Sequence, residues 1–469
     1  MFKKIFNHQN TTLGKIILLG FTFFGLYLIL FLFYYLFRLF GDNDIPPSTE
    51  LSGWPLQAWV AVIVMAYYLA YRLFLRARGL KVIILFTLLF IIILISVWPM
   101  LSADLFLYVF YPKILLDYGA NPYVEPLINY HEDILFSSGY VIRSWLPHPL
   151  AYGPAWLVTS LPFTFWATDY VLPALISFKL MATTFFLACG YLIYQILKIV
   201  NPNKKVFATA MFLWSPLVLL EVVNNGHNDI LMVFFLLVAL YFLARKKYLW
   251  VMPFLALSVL VKYMTLIFIP FFLLYLFQKT RKSPKDFKKF LWSLVIAVVV
   301  TVALFAPFWQ GMKTLDGMML FNNDVYNHKG MSLTGVVVSN LYNDWPSREA
   351  FGWSEMDFSR TISRIVFVYF YFYFLFRNKM KDFNDFIKNL CLVTLIFFII
   401  FTFYLQTWYF ILPLSLMLLV KDWPWRWFVL VSILGIFNYF FMAADLAIVF
   451  LLFIIFDVYF QYFFNIKKV

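Results

Sequence analysis

Long apolar runs follow one another along the chain at roughly 14–39, 55–73, 82–100, 171–198, 205–223, 229–244, 288–309, 359–377, 390–407, 408–420, 426–442 and 446–464. Most are near the length an α-helix needs to cross a hydrocarbon core, so the pattern predicts an all-α polytopic membrane protein. Two stretches do not fit a simple series of spans. The segment from Gly153 to Ala167 is expected to dip into the membrane or lie along it. The run Trp250–Phe277 is basic on both flanks and reads as a hairpin of two short halves with Lys262-Tyr263 at its apex. With those halves the count is about 12–14 helices. The first run, Ile16–Phe40, is too long for a signal core and is expected to be retained as a span.

Composition agrees with this reading: of 469 residues, 64% are hydrophobic and 13% charged. The net charge of +14 needs no nucleic acid to explain it. Lys and Arg gather in alternate loops, as they do on the cytoplasmic side of membrane proteins. Those loops carry Arg72/Arg76/Arg78/Lys81, Lys198/Lys204/Lys205, Arg245/Lys246/Lys247, Lys279–Lys289, Arg377–Lys388 and Lys421/Arg426. Placing them inside puts both termini in the cytoplasm. It leaves outside most of the acids, four of the five histidines and the long loops 101–152 and 310–358. The chain is read as one integral membrane domain, 1–469. Within it lie N-terminal spans (1–100), an outer loop (101–152), central spans (153–309), a second outer loop (310–358) and C-terminal spans (359–469).

Polar islands on the outer face are the candidate chemistry. Asp104 directly follows a span, and Leu105–Leu116 can form an amphipathic helix on the interface. Asp104 suits either a cap of that helix or a general base on an acceptor hydroxyl. Gly119–Tyr123 is a turn containing Asn121 and Tyr123. The stretch "NNGHND" brings Asn224, Asn225, His227, Asn228 and Asp229 together. Asn225-Gly226 suits a tight turn and Asp229 a cap, but so many donors and acceptors at a membrane boundary favour a binding site. Lys262 either snorkels to the interface or meets an anion such as a lipid phosphate, and Lys179, inside 171–198, poses the same alternatives. Arg143 is a further outer cation. Tyr152, Gln406, Trp408 and Tyr409 supply rings and an amide that suit a sugar, although Trp408 and Tyr409 also fit an interfacial belt.

Other chemistries lack support. Cys189 and Cys391 lie in separate apolar runs, and there is no His-pair or Cys-pair metal motif, so no metal site is expected. No phosphate-binding glycine loop or dinucleotide fingerprint occurs, so no cofactor is expected and nucleic acid is not an expected partner.

Taken in order, "SADLFLYVFY…YGANPY", "YGPAW", "NNGHND", "LVKYMTLIFIP" and "QTWYFILPL" resemble the GT-C glycosyltransferases. The likeness covers roughly residues 82–420 and is nearest to the bacterial α-mannosyltransferases of lipoglycan synthesis and glycosyltransferase family 87. The resemblance implies a GT-C-like fold with interfacial helices in the first outer loop. It implies an inverting transfer of a hexose, with mannose preferred, from a polyprenyl-phosphate monosaccharide to a glycolipid, polysaccharide or other envelope acceptor. Transfer would occur on the outer face of the cytoplasmic membrane. By the same likeness Asp104 matches the general base, Asn121-Pro122-Tyr123 the turn after the interfacial helix, His227-Asn228-Asp229 the polar loop, and Lys262 the hairpin lysine. Asp104 stands in "SADLF" without the adjacent acid of GT-C enzymes that carry a pair, so metal assistance is not implied. Lys262 and Arg143 are the expected phosphate contacts. Asn121, Tyr123, Tyr152, Asn225, His227, Asn228, Asp229, Gln406, Trp408 and Tyr409 are the expected sugar or acceptor contacts. The rivals are a flippase of a lipid-linked sugar and a non-catalytic partner in envelope assembly.

Overall fold

The computed structural model describes residues 12–40, 79–137, 145–165, 170–319, 354–377, 380–402 and 405–421, with scattered positions in 59–67, 338–342 and 428–435. The expected span at 446–464 and most of the 426–442 and 55–73 runs lie outside the described residues, as does Arg143. Helices make up the described fold: α1 (Thr12–Phe40), α2 (Leu80–Ser96), α3 (Asp104–Leu116), α4 (Pro154–Thr164), α5 (Val171–Val200), α6 (Lys205–Leu213), α7 (Asp229–Ala244), α8 (Val251–Val261), α9 (Ile269–Thr280), α10 (Pro284–Phe305), α11 (Glu355–Phe372), α12 (Phe383–Ile396) and α13 (Ile411–Met417). Among the described residues five helices are long and apolar enough to cross a membrane, or six if the bent pair Pro202–Leu213 and Pro216–Asn224 counts as one span. The chain is an all-α membrane protein.

Local chemistry sets the breaks. Gly79, at φ 94, opens α2, and Val97 leaves it in an extended conformation. Ser215 accepts a hydrogen bond from the Val218 N–H, with Pro216 in the first helical position, so the chain restarts after α6 at an angle of 48°. The restarted helix then widens into a π-turn over Leu219–Asn224. Such turns add one residue per ring and recur at functional sites.

The expected helix after Asp104 is present as α3, and every residue from Leu105 to Ile114 is buried. Its sequence, DLFLYVFYPKILL, has no continuous polar stripe, and a helix apolar all round is covered on all sides. It packs on α4 and α5 instead of presenting an open face. The hairpin apex is at Lys262, where α8 stops and the backbone becomes extended (φ −149, ψ 122). The second half is longer than the sequence suggests. A 3-10 turn, Tyr263–Phe268, runs into α9, and together they form an 18-residue apolar segment long enough to span. The helix α4, at 11 residues, is too short to cross, as expected for a segment that dips or lies flat. α7 and α8 pack side by side at the centre, flanked by α5 and α10, and α13 closes against α7.

Candidate active site

Asp104 is the first residue of α3, and Ala103 is the N-cap with no side-chain capping bond. The local duty that sequence left open for this carboxylate is therefore not performed through an N-cap bond. Its backbone N–H donates to Ser102 Oγ at 3.2 Å. Burial pushes the Asp104 carboxyl above its ordinary range, while His227 and Lys262 draw it back down. Tyr108 lies one turn further along α3, on the same face, and its hydroxyl bonds His227 Nδ1 at 3.1 Å.

The π-turn delivers the polar loop to this point. Asn225 follows it, and Gly226 at φ 70 turns the chain in a conformation that favours glycine. A Cβ on Gly226 would come within 2.6 Å of Leu105 Cδ1, so the turn sits directly on the start of α3. His227 is fully buried and stacks on Trp408, with ring centroids 3.9 Å apart and planes 18° from parallel. Its Nε2 lies 3.2 Å from Glu221 Oε2. Burial, the largest influence, lowers the imidazole pKa from 6.5 to about 4, so His227 is neutral at neutral pH. Asn228 is also buried, and no described residue bonds its amide nitrogen or oxygen. A buried amide of this kind holds both a donor and an acceptor for a ligand.

Asp229 opens α7 and pairs with Lys262 through both oxygens, at 2.9 and 2.8 Å. The Lys262 ammonium also lies over the rings of Tyr409, at 4.6 Å, and Tyr152, at 5.8 Å. Lys262 reaches this position because its strand-like backbone is held from the side. The Gly153 N–H donates to the Val261 carbonyl at 3.1 Å, and a Cβ on Gly153 would lie 2.0 Å from the Leu260 carbonyl oxygen. Only glycine permits that approach. Tyr152, Tyr108 and Trp156 complete an aromatic wall, with centroid distances of 5.2–5.9 Å.

Asp104, His227, Asn228, Asp229, Lys262, Tyr152, Trp408 and Tyr409 thus occupy one neighbourhood, although they come from five separate parts of the chain. The remaining expected residues have the following surroundings. Asn225 is engaged by protein: its Oδ1 accepts from the Met100 and Leu101 N–H groups, and its Nδ2 donates to Glu221. Asn121 donates to the Phe308 carbonyl at 2.9 Å and accepts from the Tyr123 N–H, pinning its turn to the end of α10. Tyr123 is buried beside Phe308. Gln406 is half-buried at the start of the 3-10 turn Thr407–Phe410. Among the described residues no three His, Cys, Asp or Glu side chains come together as a metal-ligand group.

Sequence reading missed Glu221 and Tyr108 as members of this cluster. Tyr108 carried a signal, because it follows Asp104 at helical spacing. Glu221 carried one too, as an acid inside an apolar run, where ionisable groups are costly and functional.

Residues 48–278 match the MptA_B family, described as alpha-(1->6)-mannopyranosyltransferase, N-terminal domain. That stretch includes Asp104, the polar loop and Lys262, while Trp408 and Tyr409 lie beyond it. No curated protein matches the chain. Over residues 48–278, just under half of its length, the chain is similar to the alpha-(1->6)-mannopyranosyltransferase N-terminal domain family, a likeness that supports a glycosyltransferase.

Proposed function

We propose that this protein transfers a hexose, mannose, from a polyprenyl-phosphate monosaccharide to a glycan or glycolipid acceptor, with inversion, on the outer face of the cytoplasmic membrane. The observation that carries the reading is the pairing of a carboxylate and a cation in one partly dry, aromatic-walled site. Asp104 stands on one side. Lys262, fixed by Asp229 and two tyrosines, stands on the other.

In this reading Asp104 accepts the proton of the attacking hydroxyl as that oxygen bonds to the anomeric carbon. The bond from the anomeric carbon to the phosphate oxygen breaks with its electron pair, leaving a polyprenyl phosphate. Lys262 meets the charge that develops there. An ammonium has three N–H donors and the two Asp229 oxygens accept from two of them, so the third remains for phosphate without breaking the pair. Asn228 supplies hydrogen bonds to sugar hydroxyls, and the faces of Tyr152 and Tyr409 cover its C–H surfaces. Neutral His227, bonded to Tyr108 and stacked on Trp408, shapes the floor. The cation at the phosphate is the protein's own lysine.

The test is transfer in detergent or membranes by wild type, Asp104→Asn and Lys262→Ala. The donors are polyprenyl-phosphate mannose and polyprenyl-phosphate glucose, each with and without EDTA. Mannose transfer that survives EDTA and is lost in Asp104→Asn supports the reading. Full activity in Asp104→Asn sinks the assigned base, and loss with EDTA overturns the role given to Lys262.

A further inference from the structure

The end of α2 is held in an unusual way. The last carbonyls of a helix have no partner within it. Here side chains, most of them from other parts of the chain, take nearly all of them. Ser96 Oγ donates to the Ile92 and Ile93 carbonyls, and the Tyr35 hydroxyl donates to that of Ser96. Asn224 Nδ2 donates to those of Leu94, Val97 and Trp98, each at 3.1 Å. Lys179 Nζ donates to those of Ile95 and Val97. The next N–H groups are held as well. Met100 donates to the side-chain oxygens of Asn224 and Asn225, and Leu101 donates to that of Asn225.

Lys179 is therefore neither snorkelling nor paired with an anion among the described residues. It is a buried cation at a helix C-terminus, where the carbonyl ends of the backbone favour positive charge. Burying a cation inside a span is costly, and a neutral side chain of the same length would fill the space. What the ammonium adds is direction, because it fixes two carbonyls at the point where the chain turns toward Asp104.

We propose that Lys179 and Asn224 are positioning residues for the transfer reaction: they clamp the strap Val97–Leu101 and so set Asp104 in register with His227 and Lys262. This rests on Asp104 being the base. The strap ends three residues before Asp104, and Asn224 belongs to the same turn that presents His227 and Asp229. One asparagine thus ties the carboxylate's loop to the sugar-facing loop, and Lys179 ties the start of the strap to α5.

The experiment measures kcat and donor KM on purified full-length protein for Lys179→Met, Asn224→Ser and Thr183→Val. Thr183 is a buried neighbour on α5 and serves as the packing control. Each is also combined with Asp104→Glu, which keeps a carboxylate but displaces it. The clamp variants are expected to lose about tenfold to a hundredfold in kcat per folded molecule, with donor KM nearly unchanged. Thr183→Val keeps wild-type values. Combined with Asp104→Glu, the losses are expected to be smaller than the product of the single losses, because a loosened strap lets the longer carboxylate adjust. Losses that multiply, or that vanish once corrected for the folded fraction, overturn the proposal. Asn224→Ser decides the matter if Lys179→Met does not fold. A fully active Asp104→Asn instead removes the base assignment itself, which separates the two failures.

Discussion

The Asp229–Lys262 pair is open to a test in which stability and activity part company. Asp229 is fully buried and the Lys262 side chain is 13% exposed, so this pair belongs with interior ion pairs and not with surface ones. Surface pairs contribute about 0–1 kcal/mol, whereas removing one partner of a buried pair costs about 3–5 kcal/mol, because a charge is left uncompensated. Lys262→Met should therefore destabilise the protein by about 3–5 kcal/mol, with Asp229 left alone at the head of α7. Asp229→Asn should cost less, since Lys262 is nearer solvent and retains two aromatic faces. In the double variant neither charge remains, and stability should return to within about 1–2 kcal/mol of wild type. Transfer should not return with it. Loss of the cation proposed to meet the leaving phosphate is expected to lower kcat by about a hundredfold to a thousandfold in both variants lacking Lys262. Denaturant unfolding in detergent gives the first set of numbers, and initial rates with a polyprenyl-phosphate donor give the second. If the double variant recovers both stability and transfer, Lys262 serves the fold alone and the mechanism above is wrong.

Three further outcomes follow from the geometry. The pH–rate profile should have an acid limb above the usual carboxylate range, because burial raises Asp104 and only its ionised form accepts a proton; Lys262→Met, removing a charge that lowers it, should move that limb to higher pH. His227 stays neutral in the folded protein down to about 4, whereas an unfolded chain protonates it near 6.5, so unfolding titrations should show stability lost as pH falls through that window and the loss reduced in His227→Gln. Gly153→Ala forces a methyl against the Leu260 carbonyl at 2.0 Å, so the backbone must shift; transfer should fall at least tenfold, with a destabilisation of about 1–3 kcal/mol in denaturant unfolding.

Much of this architecture could be read from the chain because it depends on local pattern. Apolar length marks the spans, and Lys262 inside an otherwise apolar run marks the helix break that the structure has at that residue. The polar islands were visible for the same reason. Their partners were not. Lys262 meets Asp229 across 33 positions, and Asn224 meets Leu94 across 130, and nothing in either stretch names the other. That is why Asn225 reads as a sugar ligand while its bonds to the backbone stay hidden, and why Lys179 is left between snorkelling and an anion partner while the structure has it on a helix end. Burial of α3 on every side was written in its composition, but the interfacial expectation gave more weight to its place after a span than to its missing polar face.

The π-turn at Leu219–Asn224 makes the site sensitive to a change that hydropathy does not register. Its ring closes from Asn225 N–H to the Leu220 carbonyl, one residue wider than an α-helical ring. Deleting a single residue there would let the segment relax into regular helix and swing all that follows by about 100° around the axis. The apolar profile would be almost the same, the span would still cross, and the chain would still insert. Asn224 would leave the strap, and His227 would leave the Trp408 ring. Between a glycosyltransferase and an inert bundle of the same length and greasiness, the difference here is the phase of one turn.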